Sequence, residues 1–570
     1  MQEVYESRNG ELTRAIFIRI LLPALAAGAS ANIASMLDGI IVGNAISSVA
    51  LAAVNSCRPA SQIYAFLAEI LASGLANCIA HAVGRNDNKA SNGYFTTALF
   101  SVLIAATVLT AVQFVFSVPI CRFFANNDEL YPLALQYYRV FLCSVFFILI
   151  NETLAASMRT DGYSMLSAMV LLLPHIVNSV LNLMFVSVFK MGLSGVAIAT
   201  VLGYVSGTLI GCYYLFFKKS YHLVQSEHWK NLTSIVSVGM PPALNKGLIS
   251  IKLLIINSLA LAAGGTMAMA IMSLIMVAWA LESLFIGGVK QSMLPMISFY
   301  YANGDYHGVR SVFRYAFRLL MSAELVLILL FEIFPQILPL LFGMRETEQI
   351  VAASVAIRIF AISMPMEAFI MLAITYYTSI RKKKIAVLLS VLQGLFATAP
   401  VIYPLVHFWG VNGVWLSYPV AGLIPLAVLA IICSKSAGGF FCMNVKTYLK
   451  EFSVDCKRIP EIVDSVIKAV REAGYESTVA NRTGLAIEEM AVSTFERNKN
   501  RKVYIDVTVC QKEDSLLVTF ADNGCEFDPL QYLNENNTDR TSNIAMLKAI
   551  SEKMEYGRVV GMNKTDVTLK

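Results

Sequence analysis

One carboxylate lies deep in the first apolar run of this chain: Asp38, in the stretch SMLDGIIVGN. A carboxylate at bilayer depth is costly to insert, so it ordinarily faces a cavity and does work there. Asn178 and Asn182 stand four residues apart and so share one helix face. Thr200 lies in the next apolar run. Oxygen-rich side chains of this kind can coordinate Na⁺, or can tune a carboxyl that carries a proton. A second set, Lys246, Lys252, Glu282 and Glu367, also sits inside apolar runs. Opposite charges at that depth are expected to pair. Glu282 with a lysine can line a central cavity and attract a charged solute, with Glu367 beside them; the other reading is a buried structural ion pair. The asparagines can equally be interhelical glue, worth about 1 kcal/mol or less per contact. Asp38 can equally be a structural hydrogen-bond acceptor. Glu324, Glu332 and Arg358 fall nearer span ends, where snorkelling accounts for them. Two lysines in the cavity would argue against a purely cationic solute, and an anionic or zwitterionic one fits as well.

These residues are carried by a duplication. Pro23, Asp87, Gly192, Gly195 and Val196 recur 218 residues later as Pro241, Asp305, Gly410, Gly413 and Val414. MGLSGVAIAT stands beside WGVNGVWLSY. Each copy holds about six apolar segments of the roughly 20 residues that a bilayer crossing needs. An even number makes both copies enter from the same side, a parallel repeat about the membrane normal, as secondary transporters use. Twelve spans are expected near 15–44, 52–82, 92–118, 133–157, 164–188, 193–217, 233–260, 266–297, 312–336, 351–378, 384–407 and 412–433.

Composition divides the chain. Of 570 residues, 57% are hydrophobic, outside the soluble range. Residues 1–434 hold 25 basic and 18 acidic side chains, and residues 435–570 hold 19 and 20. The net charge of +6 is therefore loop charge of a membrane part, and does not point to nucleic acid. Loops after even-numbered spans carry Arg85, Lys89, Arg159, Lys218, Lys219, Lys230, Arg310 and the run Arg381 to Lys384; loops after odd-numbered spans carry Arg122, Lys190 and Arg345. That bias predicts a multi-pass plasma-membrane protein with both termini cytoplasmic. Ten scattered cysteines imply no disulfide or metal framework, and no signal peptide is expected. The organisation reads as lobe 1–217, lobe 218–434, linker 435–444 (with SAGGFF at Ser436 to Phe441) and an α/β tail 445–570. In the tail, helices are expected at Pro460 to Ala473, Thr478 to Glu496 and 543–554. Strands are expected at Val503 to Cys510 and Ser515 to Ala521, with two short strands closing the chain and a polar loop at Asn534 to Ser542.

LDGIIVGNAISSVALAAVN, ASGLANCIAHAVGRNDNKASNGY, IVNSVLNLMFV and GLSGVAIATV closely resemble the multidrug and toxic compound extrusion transporters, over residues 10–434. The resemblance implies an all-α domain of twelve spans in two parallel six-helix lobes. It also implies an N-lobe cation or proton site at Asp38, Asn178, Asn182 and Thr200. Many relatives carry a second aspartate where this chain has Asn182, so more of the coupling falls to Asp38.

LAIEEMAVSTFERN, FADNGCEFDP and TSNIAMLKAISEKMEY resemble the GHKL-type ATP-binding fold of histidine kinases and anti-sigma-factor kinases. There a Glu-x-x-x-Asn helix holds Mg²⁺ and activates the acceptor, an Asp-x-Gly turn reads adenine, and a Gly-rich turn cradles phosphate. Carried over, Glu489 takes the Glu position and Ser493 the Asn position. Asp522 and Gly524 match the adenine turn. Thr541, Ser542 and Asn543 replace the second glycine turn, so ATP or ADP binding is implied with weakened Mg²⁺ and phosphate handling. No G-x-x-x-x-G-K-[ST] loop occurs in the sequence, which argues against ATP-driven transport.

Three functions are compatible with this sequence. The first is a secondary antiporter of amphipathic small molecules, driven by H⁺ or Na⁺ and regulated by its tail; it is not an enzyme, and it needs no cofactor for transport. The second is a transporter-like sensor that signals through the tail to a cytoplasmic protein. The third is a lipid-intermediate flippase. Asp38 favours the first.

Overall fold

The structure is a computed structural model that describes residues 8–124, 130–218, 221–225, 227–342, 344–435, 440, 448–512, 515–535 and 543–570. The first lobe runs through α1 Glu11–Ala45, α2 Ser48–Ser56, α3 Arg58–Gly84, α4 Asn88–Val115, α5 Ser117–Phe124, α6 Leu130–Thr160, α7 Ser164–Leu183 and α8 Gly192–Tyr213. The second runs through α9 His228–Ala302, α10 Tyr306–Ile333, α11 Ile337–Leu341, α12 Thr347–Ser379, α13 Lys383–Val391, α14 Ala399–Trp409 and α15 Val411–Lys435. Among the described residues, ten helices are long and apolar enough to cross a membrane. One of the ten is α9, whose 75 residues would reach ~110 Å if straight. That is several times a ~30 Å hydrocarbon core. It bends at Gly265, whose φ of 61° and ψ of −151° are open to glycine alone. The bend falls at the boundary between the seventh and eighth expected spans. α10 carries Arg310, Arg314, Arg318, Glu324 and Glu332 and is not among the ten. The second expected span is broken at Cys57 into α2 and α3.

The duplication is visible in the backbone. Asp87 caps α4 by accepting from the Ala90 N–H at 2.9 Å, and Asp305 caps α10 by accepting from the Gly308 N–H at 2.7 Å. The residue before each, Asn86 and Gly304, is left-handed. So are Gly192 and Gly410.

At the end of the bundle that carries these two caps, the lobes close on each other. A Cβ on Gly74 would stand 2.1 Å from the Ile235 carbonyl oxygen, and one on Gly239 would stand 2.0 Å from that of Ile70. Small residues let α3 and α9 approach that closely. Farther along the same seam, Asn77 donates to Ser298 Oγ at 2.9 Å, and His81 Nε2 meets the Ser379 carbonyl at 2.7 Å.

The tail consists of β1 Tyr448–Val454, α16 Ile459–Glu472, α17 Ser477–Arg497, β2 Ile505–Lys512, β3 Ser515–Asp522, α18 Pro529–Glu535, α19 Asn543–Ile550, β4 Lys553–Val559 and β5 Met562–Leu569. The sheet is antiparallel with order β1-β2-β3-β5-β4. Helices α16 and α17, strands β2 and β3, and the two closing strands β4 and β5 follow the sequence reading. β1 and α18 were not expected, and the helix expected over 543–554 stops at Ile550 so that Lys553 and Met554 can join β4. Val507, Val518 and Val567 meet Val466, Val470, Ile487 and Leu547 in one core. The other sheet face is polar yet buried: Asp506, Thr508, Thr519, Lys564 and Asp566. It is buried because the tail sits on the closed end of the bundle. The linker residue Phe440 stacks on Tyr376 of α12 at 5.0 Å. The rest of SAGGFF, and most of the expected polar loop including Thr541 and Ser542, lie outside the described residues.

Candidate ion-coupling site and central cavity

Asp38 comes from the distal half of α1, Asn178 and Asn182 from α7, and Thr200 from α8. The structure brings all four together. Asn178 Nδ2 lies 3.0 Å from both carboxylate oxygens of Asp38, and Asn182 Nδ2 donates to Oδ1 at 2.6 Å. The Thr200 hydroxyl lies 3.1 Å from Asn178 Oδ1 and 3.0 Å from the Val196 carbonyl oxygen, and its single proton serves one of the two. Asn178 and Asn182 are buried, and Asp38 is half-buried on the wall of a cavity. Both Asp38 oxygens therefore act as acceptors, the geometry of an ionised carboxylate. A proton on Oδ2 would leave both amides on Oδ1 and disturb only the Asn178–Oδ2 contact, whereas a proton on Oδ1 would weaken both amide contacts.

The cavity measures about 490 Å³ and lies in the half of the first lobe remote from the tail. Besides Asp38 it is lined by Glu69, Glu152, His175, Tyr204 and Lys246. Lys246 reaches Glu69 at 3.9 Å with its side chain half exposed, a weak pair open to competition by a solute.

Of the four residues expected in the substrate cavity, only Lys246 is there. Lys252 is buried in the second lobe, donating to the Gln393 carbonyl at 3.4 Å. It shares a separate small pocket with Glu367, which accepts from Trp279 Nε1 at 3.3 Å. Glu282 is 1% exposed and lines neither pocket. Helix rotation decides this: these three side chains face the interior of their own lobe. Glu324 is fully buried rather than snorkelled, whereas Glu332 and Arg358 pair at 3.7 Å near the surface. The expectation of two cavity lysines is corrected with them. The cavity holds three carboxylates, Asp38, Glu69 and Glu152, against Lys246. Glu69 and Glu152 were missed, although each is a carboxylate inside an apolar run, the same signal that marked Asp38.

The MatE family model matches residues 23–184 and 241–403, more than half of the chain, in two copies that begin at Pro23 and Pro241. The chain belongs to the MATE family. The "Probable multidrug resistance protein YpnP" of Bacillus subtilis (strain 168) is 23% identical over 250 residues, 42% of this chain and 55% of that protein. The "Probable multidrug resistance protein NorM" of Thermotoga maritima is 24% identical over 259 residues, 43% of this chain and 54% of that protein. This MATE chain thus spans about half the length of the curated relatives it matches. A crystal structure of MATE in complex with MaL6 superposes with a TM-score of 0.68 at 23% identity, covering 72% of this chain and 94% of the other. A MOP superfamily transporter from Pyrococcus furiosus, described as having a binding pocket of reverse polarity, gives 0.67 at 23% identity, covering 72% and 93%. At such identity the likeness is one of fold.

The MATE helices end before the tail, where Asp522 lines a small cavity that Glu489 and Ser493 do not. Asp522 is buried, accepting from the Gly524 N–H at 2.8 Å and from Asn563 Nδ2 at 2.9 Å. Burial raises its carboxyl above the ordinary range, and the Asn563 and Gly524 hydrogen bonds oppose the rise. The cavity beside it is about 10 Å³ and is lined on α17 by Met490, Thr494 and Arg497, a different face from Glu489 and Ser493. Small-molecule pockets run roughly 300–1,000 Å³. Arg497 lies over Phe527 at this cavity: its guanidinium is 3.5 Å from the ring centre, and it donates to Ser493. As the described residues stand, an adenine does not fit beside Asp522. Asn543 is the first residue of α19.

Lys246→Met should change selectivity more than folding. It leaves Asp38, Glu69 and Glu152 without the one lysine on that wall, so lipophilic cations should compete several-fold better. Competition against tetraphenylphosphonium uptake reads the change. An unaltered profile together with a lower unfolding temperature would make Lys246 a structural partner of Glu69.

Proposed function

We propose that this protein is a twelve-span secondary antiporter that exports a small amphipathic molecule in exchange for H⁺, with Asp38 as the coupling group. The observation that carries the reading is the carboxylate of Asp38, held by Asn178 and Asn182 on the cavity wall. A proton can be accepted there on Oδ2 while both amides stay on Oδ1. Na⁺ needs several oxygens and a compensating charge. Here both asparagine nitrogens face the carboxylate, so a Na⁺ site would require both amides to turn. Asn182 also withholds the second carboxylate that many relatives supply.

Twelve spans follow from counting α9 twice and adding α10 to the apolar helices. With the basic loops at the tail end, that end is cytoplasmic in the plasma membrane, and the cavity then opens outward. The antiport cycle begins with solute bound near Asp38, Glu69 and Glu152. Protonation of Asp38 removes its charge and so weakens both its amide hydrogen bonds and the hold on a cationic solute. The lobes then exchange access. The tail is read as a regulatory domain with a GHKL-like arrangement of sheet and helices; ATP or ADP would first have to displace Arg497 from Phe527. A cytoplasmic partner and a sensing role are second readings, favoured by the tail's seat on both lobes. The test is tetraphenylphosphonium efflux from proteoliposomes under an imposed H⁺ or Na⁺ gradient, and the rate should follow the H⁺ gradient.

A further inference from the structure

The tail touches both lobes at equivalent places. On the first lobe, Lys564 of β5 donates to the Gly84 carbonyl at 3.1 Å and to Asn86 Oδ1 at 2.9 Å, while holding Asp566 at 2.9 Å. Asn86 in turn donates to Asp566 at 2.6 Å and to Glu555 at 3.1 Å. The tip of the β4–β5 hairpin goes deeper. The Val560 N–H donates to the Thr160 carbonyl at 2.5 Å at the end of α6. Gly162 lets the tip in, since a Cβ there would stand 2.2 Å from the Gly561 nitrogen. Val560 is fully buried in the core of the bundle and sits at φ 51°. A β-branched residue in the left-handed region is strained and persists only where its surroundings hold it. On the second lobe, Arg8 ties Asp305 at 2.6 Å to Asp506 of β2 at 3.2 Å, and Glu451 of β1 stands 3.8 Å away. Tyr300 of α9 donates to the Met562 sulfur at 3.6 Å. Asn86 and Gly304, and Asp87 and Asp305, are matching positions of the duplication, so one rigid sheet is fastened to the same loop of each lobe.

We infer that the C-terminal domain is a releasable lock on alternating access: while its sheet is fastened to both loops, the lobes cannot part at that end. The inference rests on the antiport reading above, and it deepens that reading by naming the regulation. Exchange of access requires the Asn77–Ser298 and His81–Ser379 seam to open, which moves the 84–88 loop away from the 304–308 loop. The sheet spans both and does not stretch. Its docking face is mixed: Asp506, Lys564 and Asp566 make charge-assisted contacts that water and counter-charges can replace, beside an apolar tip of Val559, Val560 and Met562 that must be withdrawn from the bundle on release. Without release of the tail, the antiporter stays closed at this end.

The test uses the full chain in nanodiscs and in proteoliposomes, as wild type, Arg8→Ala and Lys564→Met. Spin labels are attached through a keto-bearing residue at positions 89 and 310, both exposed, so the native cysteines stay untouched. Arg8→Ala should raise amide exchange over residues 556–563 by tenfold or more and leave β2 and β3 unchanged. It should add a longer component to the 89–310 distance and speed tetraphenylphosphonium efflux several-fold. Lys564→Met should do the same; if it unfolds the tail, faster exchange in β2 and β3 reveals that. Because Arg8 also joins the segment before α1 to Asp305 of the second lobe, the deciding variant is then Asn86→Gly, which lies outside the tail, tolerates the left-handed backbone and loses side-chain contacts to the tail alone. Faster hairpin exchange with a wild-type distance distribution would overturn the lock, as would unchanged exchange in both variants. A longer distance in a protein that moves no tetraphenylphosphonium would uphold the lock and sink the antiport reading instead.

Discussion

Asp38→Asn should abolish gradient-driven efflux, by a hundredfold or more, while the protein still inserts, folds and purifies. The amide matches the carboxylate in shape, and one side can still accept from Asn178 or Asn182. The other side presents N–H groups to amide nitrogens that are themselves donors, at 2.6 to 3.0 Å. One asparagine must turn, which costs a fraction of the ~1–3 kcal/mol of a lost buried hydrogen bond. The fold survives that. Coupling does not, because an amide cannot exchange a proton in the physiological range. Thermal unfolding near wild type with efflux at background is the expected pair of results. Efflux at the wild-type rate would make Asp38 a structural acceptor.

Gly239→Ala should have the second largest effect, through the seam rather than the site. The added methyl would start 2.0 Å from the Ile70 carbonyl oxygen, so α3 and α9 must separate. Overpacking of this kind costs typically ~1–3 kcal/mol. Each 1.4 kcal/mol is a factor of about ten in a population, so the closed-seam state should fall by on the order of tenfold or more. Gly74→Ala should act alike from the other helix, where the oxygen is that of Ile235. Amide exchange over 74–84 and 295–302 should rise, and the unfolding temperature should drop. Exchange and unfolding at wild-type values would show that the helices accommodate the methyl without opening.

Much of this was legible in the residues, for identifiable reasons. Apolar run length marks spans, and ten of the twelve expected runs correspond closely to single helices or to the two arms of α9. The repeat offset is a property of spacing, and it placed Asp87 and Asp305 at matching caps. Asn178 and Asn182 were legible because a spacing of four fixes one face. What faces that face is set by tertiary packing, and there the reading failed. Lys252, Glu282 and Glu367 turn into their own lobe, and Lys246 pairs with Glu69 across the α3–α9 seam. Neither rotation nor crossing is encoded in periodicity. Beside the turn expected at Asp522 to read adenine, Arg497 lies over Phe527 in a side-chain conformation that no motif displays. Lys564 and Asp566 look like the solvent side of a strand. They are buried because the strand is docked, and docking depends on Arg8, which is more than 490 residues away from its partner Asp506 in sequence.

The proposed drive of transport by the proton gradient through Asp38 is tested most directly by tetraphenylphosphonium efflux from proteoliposomes bearing wild-type protein, with a pH gradient and a Na⁺ gradient imposed in turn. Efflux should follow the pH gradient, stop when that gradient is collapsed, ignore Na⁺, and be absent under either gradient in Asp38→Asn. Efflux that survives collapse of the pH gradient and tracks an imposed Na⁺ gradient would contradict the account.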